Sequence, residues 1–121
     1  GWPQLAAETR LGILQACGQL AHTLHAAGQV HGCFYPKHIF LRERREGWQA
    51  QLTDLEKTRP LLLGMRDRLK DLEPLLRRTR AWSEGDVRSM LAAYLEQPAD
   101  SPLVATWLPR LVRRRREKEA R

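Results

Sequence analysis

Apolar residues recur early in the chain at Leu11, Leu14, Cys17, Ala21 and Leu24, with Ile13 and Leu20 widening the stripe and Arg10, Gln15, Gln19 and His22 between them. Spacings of three and four residues place such a set on one side of an α-helix. The pattern predicts a helix from Pro3, which suits a first turn, to Ala27, closed by Gly28 just past its end. The period then changes. Val30 to His38 reads as a loop punctuated by Gly32 and Pro36. Ile39-Phe40-Leu41 reads as a short apolar strand, and "RERREGW" as a charged hairpin turn containing Gly47. The return strand spans Ala50 to Thr53, where Ala50 and Leu52 alternate with Gln49 and Gln51. A lone hairpin is marginal in water, so this one must lie on helices.

Lys57 to Gly64 has no period and is restrained by Pro60. Helical spacing returns from Met65 to Trp82 but meets Pro74. A helix-interior proline costs about 3 kcal/mol, so a helix is expected to start near Asp71 with Pro74 in its first turn, or to kink there. Ser83 followed by Asp86 reads as an N-cap with an acidic first turn. The helix it opens runs through Glu96 and carries Val87, Met90, Leu91, Tyr94 and Leu95 on one face. Asp100 or Ser101 caps a last helix with Pro102 at its first position, and Pro109 is expected to kink it. The fold class is mostly α with a short β-hairpin (α+β). One domain is expected over residues 1–109, with a basic tail over 110–121.

The length of 121 residues suits one domain with a single core. With 42% hydrophobic and 29% charged residues, global disorder is excluded. No run of about 18 apolar residues is present to span a bilayer. The first residues also lack a basic segment followed by an apolar one, so no secretory signal is expected. Cys17 and Cys33 make no disulfide framework and read as reduced thiols of a cytosolic protein. Most of the net charge of +7 sits in residues 110–121, where seven basic residues face Glu117 and Glu119. Such a segment attracts phosphates in nucleic acid, lipid head groups or sugar phosphates without choosing among them. It also fits a solvated last helical turn. Trp48, Trp82 and Trp107 do not alternate with basic residues as stacking platforms would, and no specific nucleic acid is expected. His22, His25, His31, Cys33 and His38 offer zinc-type donors, but at a spacing that matches no zinc pattern.

Three strings resemble one family. "HGCFYPKHIFL", "TDLEKTR" and "RDRLKDLEPLLRR", in the order helix, loop, hairpin, helix, resemble the lipopolysaccharide core kinase family of Gram-negative bacteria (the Kdo/WaaP and InaA-type proteins). That family is similar to protein kinases. The likeness covers about residues 8 to 95 and implies a protein-kinase-like C-terminal lobe. A protein-kinase catalytic loop reads H-R-D-L-x-x-x-N, followed by D-F-G. By that resemblance His31 takes the place of the loop His, Cys33 that of the catalytic Asp and His38 that of the Asn. Asp54 takes the place of the metal-binding Asp, and Asp71 that of the Asp that holds the loop backbone. Phe34, Tyr35, His38 and Leu41 match the family's own loop variant.

The resemblance implies ATP and Mg²⁺ as cofactors and a lipopolysaccharide core sugar as acceptor. It also implies a cytoplasmic location, peripheral to the inner membrane. Asp54 is then a Mg²⁺ ligand, or alternatively a turn cap at a strand end. His38 supports metal or phosphates, or hydrogen-bonds backbone. His31 is a catalytic residue of the loop, or packs under it. Cys33 faces the acceptor hydroxyl, or is an inert thiol whose nearest cation in sequence is Lys37. Lys37, Lys57 and Arg59 form a phosphate-facing patch or ordinary surface charge. The 121 residues contain no G-x-G-x-x-G loop and no V-A-I-K strand, the N-lobe parts that cover and anchor nucleotide phosphates. The chain alone is therefore expected to be inactive. The alternative is a pseudokinase-type binding module for a protein partner, an anionic lipid or a sugar phosphate.

Overall fold

The N-terminal helix is tied down before it begins. The structure is a computed structural model; it describes residues 1–32, 34, 36–53, 58–79 and 81–119, without the side chains of 78 and 117–119. Trp2–Gln4 form a single 3₁₀ turn containing Pro3, and α1 spans Ala7–Ala26. The helix starts later than its apolar spacing suggests because Leu5 and Ala6 are extended. That detour carries Trp2 onto the start of another helix. Its indole N–H donates to Asp86 Oδ2 at 3.0 Å, and its ring lies 5.8 Å from that of Trp82. The buried side of α1 holds Ile13, Leu14, Ala16, Cys17, Gly18, Ala21 and His25, whereas Leu11 stays exposed.

α2 spans Met65–Arg78, α3 Glu84–Leu95 and α4 Pro102–Glu119. α1 packs on α3, α2 on α4 and α3 on α4. Gly18 sets the closest approach. A Cβ there would fall 2.3 Å from the Met90 carbonyl oxygen and 2.9 Å from Tyr94 N. α2 begins at Met65 and runs through Pro74, earlier than the start expected near Asp71. Leu69 and Leu72 before the proline and Leu75 and Leu76 after it are all buried. At roughly 1.5–3 kcal/mol for each fully buried aliphatic side chain, that burial exceeds the penalty of one interior proline. α3 opens with a capping box. Ser83 Oγ accepts from Asp86 N at 3.1 Å, and Asp86 Oδ2 accepts from Ser83 N at 3.0 Å. Ser101 Oγ accepts from Val104 N at 3.2 Å at the head of α4. α4 continues through Pro109, so the expected boundary between a domain and a tail falls inside it; Leu111 and Val112 beyond that point are buried in the core.

Among the described residues the strands form two antiparallel pairs. β2 (Ile39–Arg44) pairs with β3 (Gly47–Leu52) across a two-residue turn. Both strands reach into the charged stretch expected to be turn, because alternation needs only one inward face. Trp48, Ala50 and Leu52 are half-buried, and the residues between them are exposed. Trp48 lies over Gly12 of α1, where a Cβ would meet Trp48 Cδ1 at 2.7 Å. β1 (Gln29–Val30) pairs with β4 (Arg59–Pro60). Each has two residues, too few to show a period in sequence.

Candidate functional site

Three helices bring polar side chains together inside the core. α1 brings His25, 1% exposed, α2 Asp71, 4% exposed, and α3 Tyr94, 1% exposed. His25 Nε2 lies 2.7 Å from Asp71 Oδ2, and His25 Nδ1 lies 2.6 Å from the Tyr94 hydroxyl. Arg68, one turn before Asp71 on α2, donates from Nη1 to the same hydroxyl at 3.1 Å. A guanidinium can only donate. The Tyr94 oxygen therefore accepts from Arg68, and His25 Nε2 donates to the Asp71 carboxylate, which can only accept.

Asp71 also holds the backbone of the loop after β1. Its Oδ2 accepts from His31 N at 2.9 Å and its Oδ1 from Gly32 N at 2.8 Å. Gly32 has φ +83°, a conformation a glycine adopts without the strain of a Cβ. Burial pushes the Asp71 carboxyl up. The bonds from His25, His31 N and Gly32 N outweigh it and hold the group below its ordinary value near 3.8. Tyr94 moves the other way: burial raises its phenol, against the lowering effect of Arg68.

The loop turns back onto the end of the hairpin. His31 is fully buried, and its Nε2 donates to the Thr53 carbonyl at 2.9 Å. Thr53 N donates to the His38 carbonyl at 2.9 Å, and the His31 and His38 rings lie 5.5 Å apart. Phe34 is fully buried with its ring edge-on to His31, 6.2 Å away. Lys37 is exposed in the 3₁₀ turn Pro36–His38, where His38 is half-buried. Thr53 thus meets both loop histidines, and Asp54 is the next residue in sequence. Asp54, Cys33, Tyr35 and Lys57 lie outside the described residues.

Gly32 and Asp71 open onto a cleft of about 530 Å³ lined also by Arg59, Asp67, Lys70 and Arg77. Arg59, at the exposed β4 position, belongs to this cleft. Of the zinc-type donors, His22 Nδ1 lies 2.9 Å from the Tyr94 carbonyl and His22 Nε2 3.0 Å from Glu96, while His25 is held by Asp71 and Tyr94. Among the described residues no group of three His, Cys, Asp or Glu side chains is arranged to hold a metal.

A model of the lipopolysaccharide kinase (Kdo/WaaP) family matches residues 1–94. The chain belongs to that family. One similar solved structure is described as WaaP in complex with acyl carrier protein. The two share 19% identity and a TM-score of 0.70, over 89% of this chain and 50% of the other. The chain therefore spans half the length of that WaaP chain. Comparison with curated proteins gives no match. The fold is α+β, that of a protein-kinase-like C-terminal lobe, as in WaaP. Within this Kdo/WaaP fold, sequence reasoning missed His25 as the side-chain partner of Asp71, and Tyr94 and Arg68 behind it. His25 sits on the apolar face of α1 and Tyr94 on that of α3. A polar side chain at a core position was the available signal.

Proposed function

We propose that this chain carries the loop and metal half of a site that transfers a phosphoryl group from ATP to a hydroxyl of a lipopolysaccharide core sugar. Membership of the Kdo/WaaP family supports kinase-like chemistry. The observation that carries the reading is the junction of His31 and His38 with Thr53, because it brings the loop to the residue that precedes Asp54. Phosphoryl transfer depends mostly on positioning and charge stabilisation. Mg²⁺-ATP supplies the phosphoryl group and the metal charge. On this reading Asp54 holds the metal, His38 supports metal or phosphate, and Lys37 adds positive charge beside them. His31 and Asp71 fix the loop, and position 33 faces the acceptor hydroxyl. The fit is incomplete at Cys33. A thiol has an unperturbed pKa of about 8.5 and is a poor substitute for a carboxylate at neutral pH. Together with the missing Gly-rich loop and lysine strand, this makes the 121-residue chain inactive by itself.

The same observation at Cys33 favours a second reading, a pseudokinase-type module that binds rather than transfers. Acyl carrier protein, the companion of WaaP in its structure, is the protein partner to test. The basic end of α4 fits an anionic surface at the cytoplasmic face of the inner membrane. The deciding experiment combines Mg²⁺-ATP binding with phosphate transfer to lipopolysaccharide core oligosaccharide. The expected result is metal-dependent ATP binding that Asp54→Ala abolishes, without useful turnover by the chain alone. Binding indifferent to both metal and Asp54→Ala overturns the phosphoryl-transfer reading. Turnover lost in Asp54→Ala overturns the inactivity.

A further inference from the structure

α2 and α4 enclose a second cleft, about 330 Å³, that shares no lining residue with the one at Asp71. Its walls are Met65, Arg66 and Leu69 from α2 and Arg110, Arg113 and Arg114 from α4. The α4 arginines sit at i, i+3 and i+4, one face of the helix, and Arg66 faces them across the gap. Like charges so grouped repel, and a fold gains by neutralising them. Yet none of the four makes an ion pair among the described residues. Asp67, the acid beside Arg66 on α2, feels its charge but lines the other cleft, where its Oδ2 accepts from Leu62 N at 2.9 Å and Leu63 N at 2.8 Å. Arg110 donates to the thioether of Met65 at 3.1 Å, a weak acceptor. Arg114 Nε is shielded from solvent without any hydrogen-bond partner, although buried polar groups are nearly always paired.

We infer that this cleft is a binding site for a doubly charged phosphate group, a phosphomonoester or diphosphate, clamped by Arg66, Arg110, Arg113 and Arg114. Four convergent guanidiniums carry more charge than one carboxylate neutralises, and their planar forks match phosphate oxygens in pairs. Arg114 Nε then has the acceptor it lacks. The site narrows the proposed contact with anionic surfaces to one place. It needs neither Asp54 nor a nucleotide, so the two proposals fail separately.

The test is calorimetric titration of the chain with inorganic pyrophosphate at near-physiological salt. One-to-one binding is expected, weakened about tenfold by Arg114→Gln and equally by Arg66→Gln, the loss of one charge-assisted contact. Arg116→Gln, exposed on the same helix outside the cleft, is expected to stay within about twofold, because it removes the same charge but no contact. Circular dichroism checks that all three variants fold, and Arg66 tests the site from the other helix if Arg114→Gln does not. Vesicles separate the sources. Preference for phosphatidic acid over phosphatidylglycerol at equal surface charge assigns a lipid-borne monoester; pyrophosphate binding without that preference assigns a soluble phosphate. No pyrophosphate binding overturns the site. So does equal weakening by all three variants, which is diffuse charge, including the case where DNA binds with the same equal losses.

Discussion

Asp71 does at one point what a loop cannot do for itself. It gives the His31–Gly32 turn two acceptors and ties that turn to α1 through His25. Removing one partner of a buried charged group costs several kcal/mol, because the others are left unsatisfied. Asp71→Asn is expected to cost about 3 kcal/mol in urea unfolding at pH 7. The pH dependence follows from the direction of the shift. The folded carboxyl lies below its ordinary value near 3.8, so its contribution is complete above that value and is lost as pH falls through the folded one. Acid unfolding of Asp71→Asn is expected to lack that loss, as urea midpoints from pH 7 to pH 3 will show. Tyr94→Phe keeps the ring but removes the link between Arg68 and His25. Its expected cost is about 1–2 kcal/mol by the same assay. Cys17 is buried in α1, and desolvation pushes its thiol up to about 12. It is expected to remain unalkylated at pH 8 in the folded chain, by peptide mapping after iodoacetamide.

The elements were legible where a period runs for several turns. α1 and α3 follow from apolar spacing, α4 from the cap and proline at its head, and Ser83 with Asp86 marks the start of α3. The departures arise where tertiary packing overrides a local rule. Pro74 lies well inside α2, nine residues after its start, because apolar residues on both sides of it are buried. The N-terminal turns leave the helix because Trp2 finds Asp86 and Trp82. β1 and β4 are held by pairing across almost thirty residues, which no local window can see. The α1–α3 contact supplies a test at this scale. Gly18→Ala places a methyl against the Met90 carbonyl, a backbone atom that cannot swing aside. A glycine-to-alanine change ordinarily favours a helix by about 1 kcal/mol. Here a net loss of about 1–3 kcal/mol is expected from overpacking, read as a lowered thermal midpoint.

At the scale of the molecule, the kinase-like order of loop, hairpin and helix could be read because its strings carry their own spacing. His31, Gly32 and Asp71 were visible as letters of that pattern. Their mutual geometry was not, because it depends on α1, α2 and α3 meeting around His25 and Tyr94, residues that count as core by position. Residues 110–121 read as a basic tail, since charge is obvious in sequence, while Leu111 and Val112 on the buried side of the same helix are legible only with α2 in place. The central claim is that the loop fixed by Asp71 and the end of the hairpin form one metal-nucleotide site. Paramagnetic broadening by Mn²⁺-ATP, followed at backbone amides by NMR, tests it most directly. Broadening centred on Gly32, His38 and Thr53, and lost in Asp54→Asn, is the result this account predicts. Broadening centred elsewhere, or unchanged by Asp54→Asn, contradicts it.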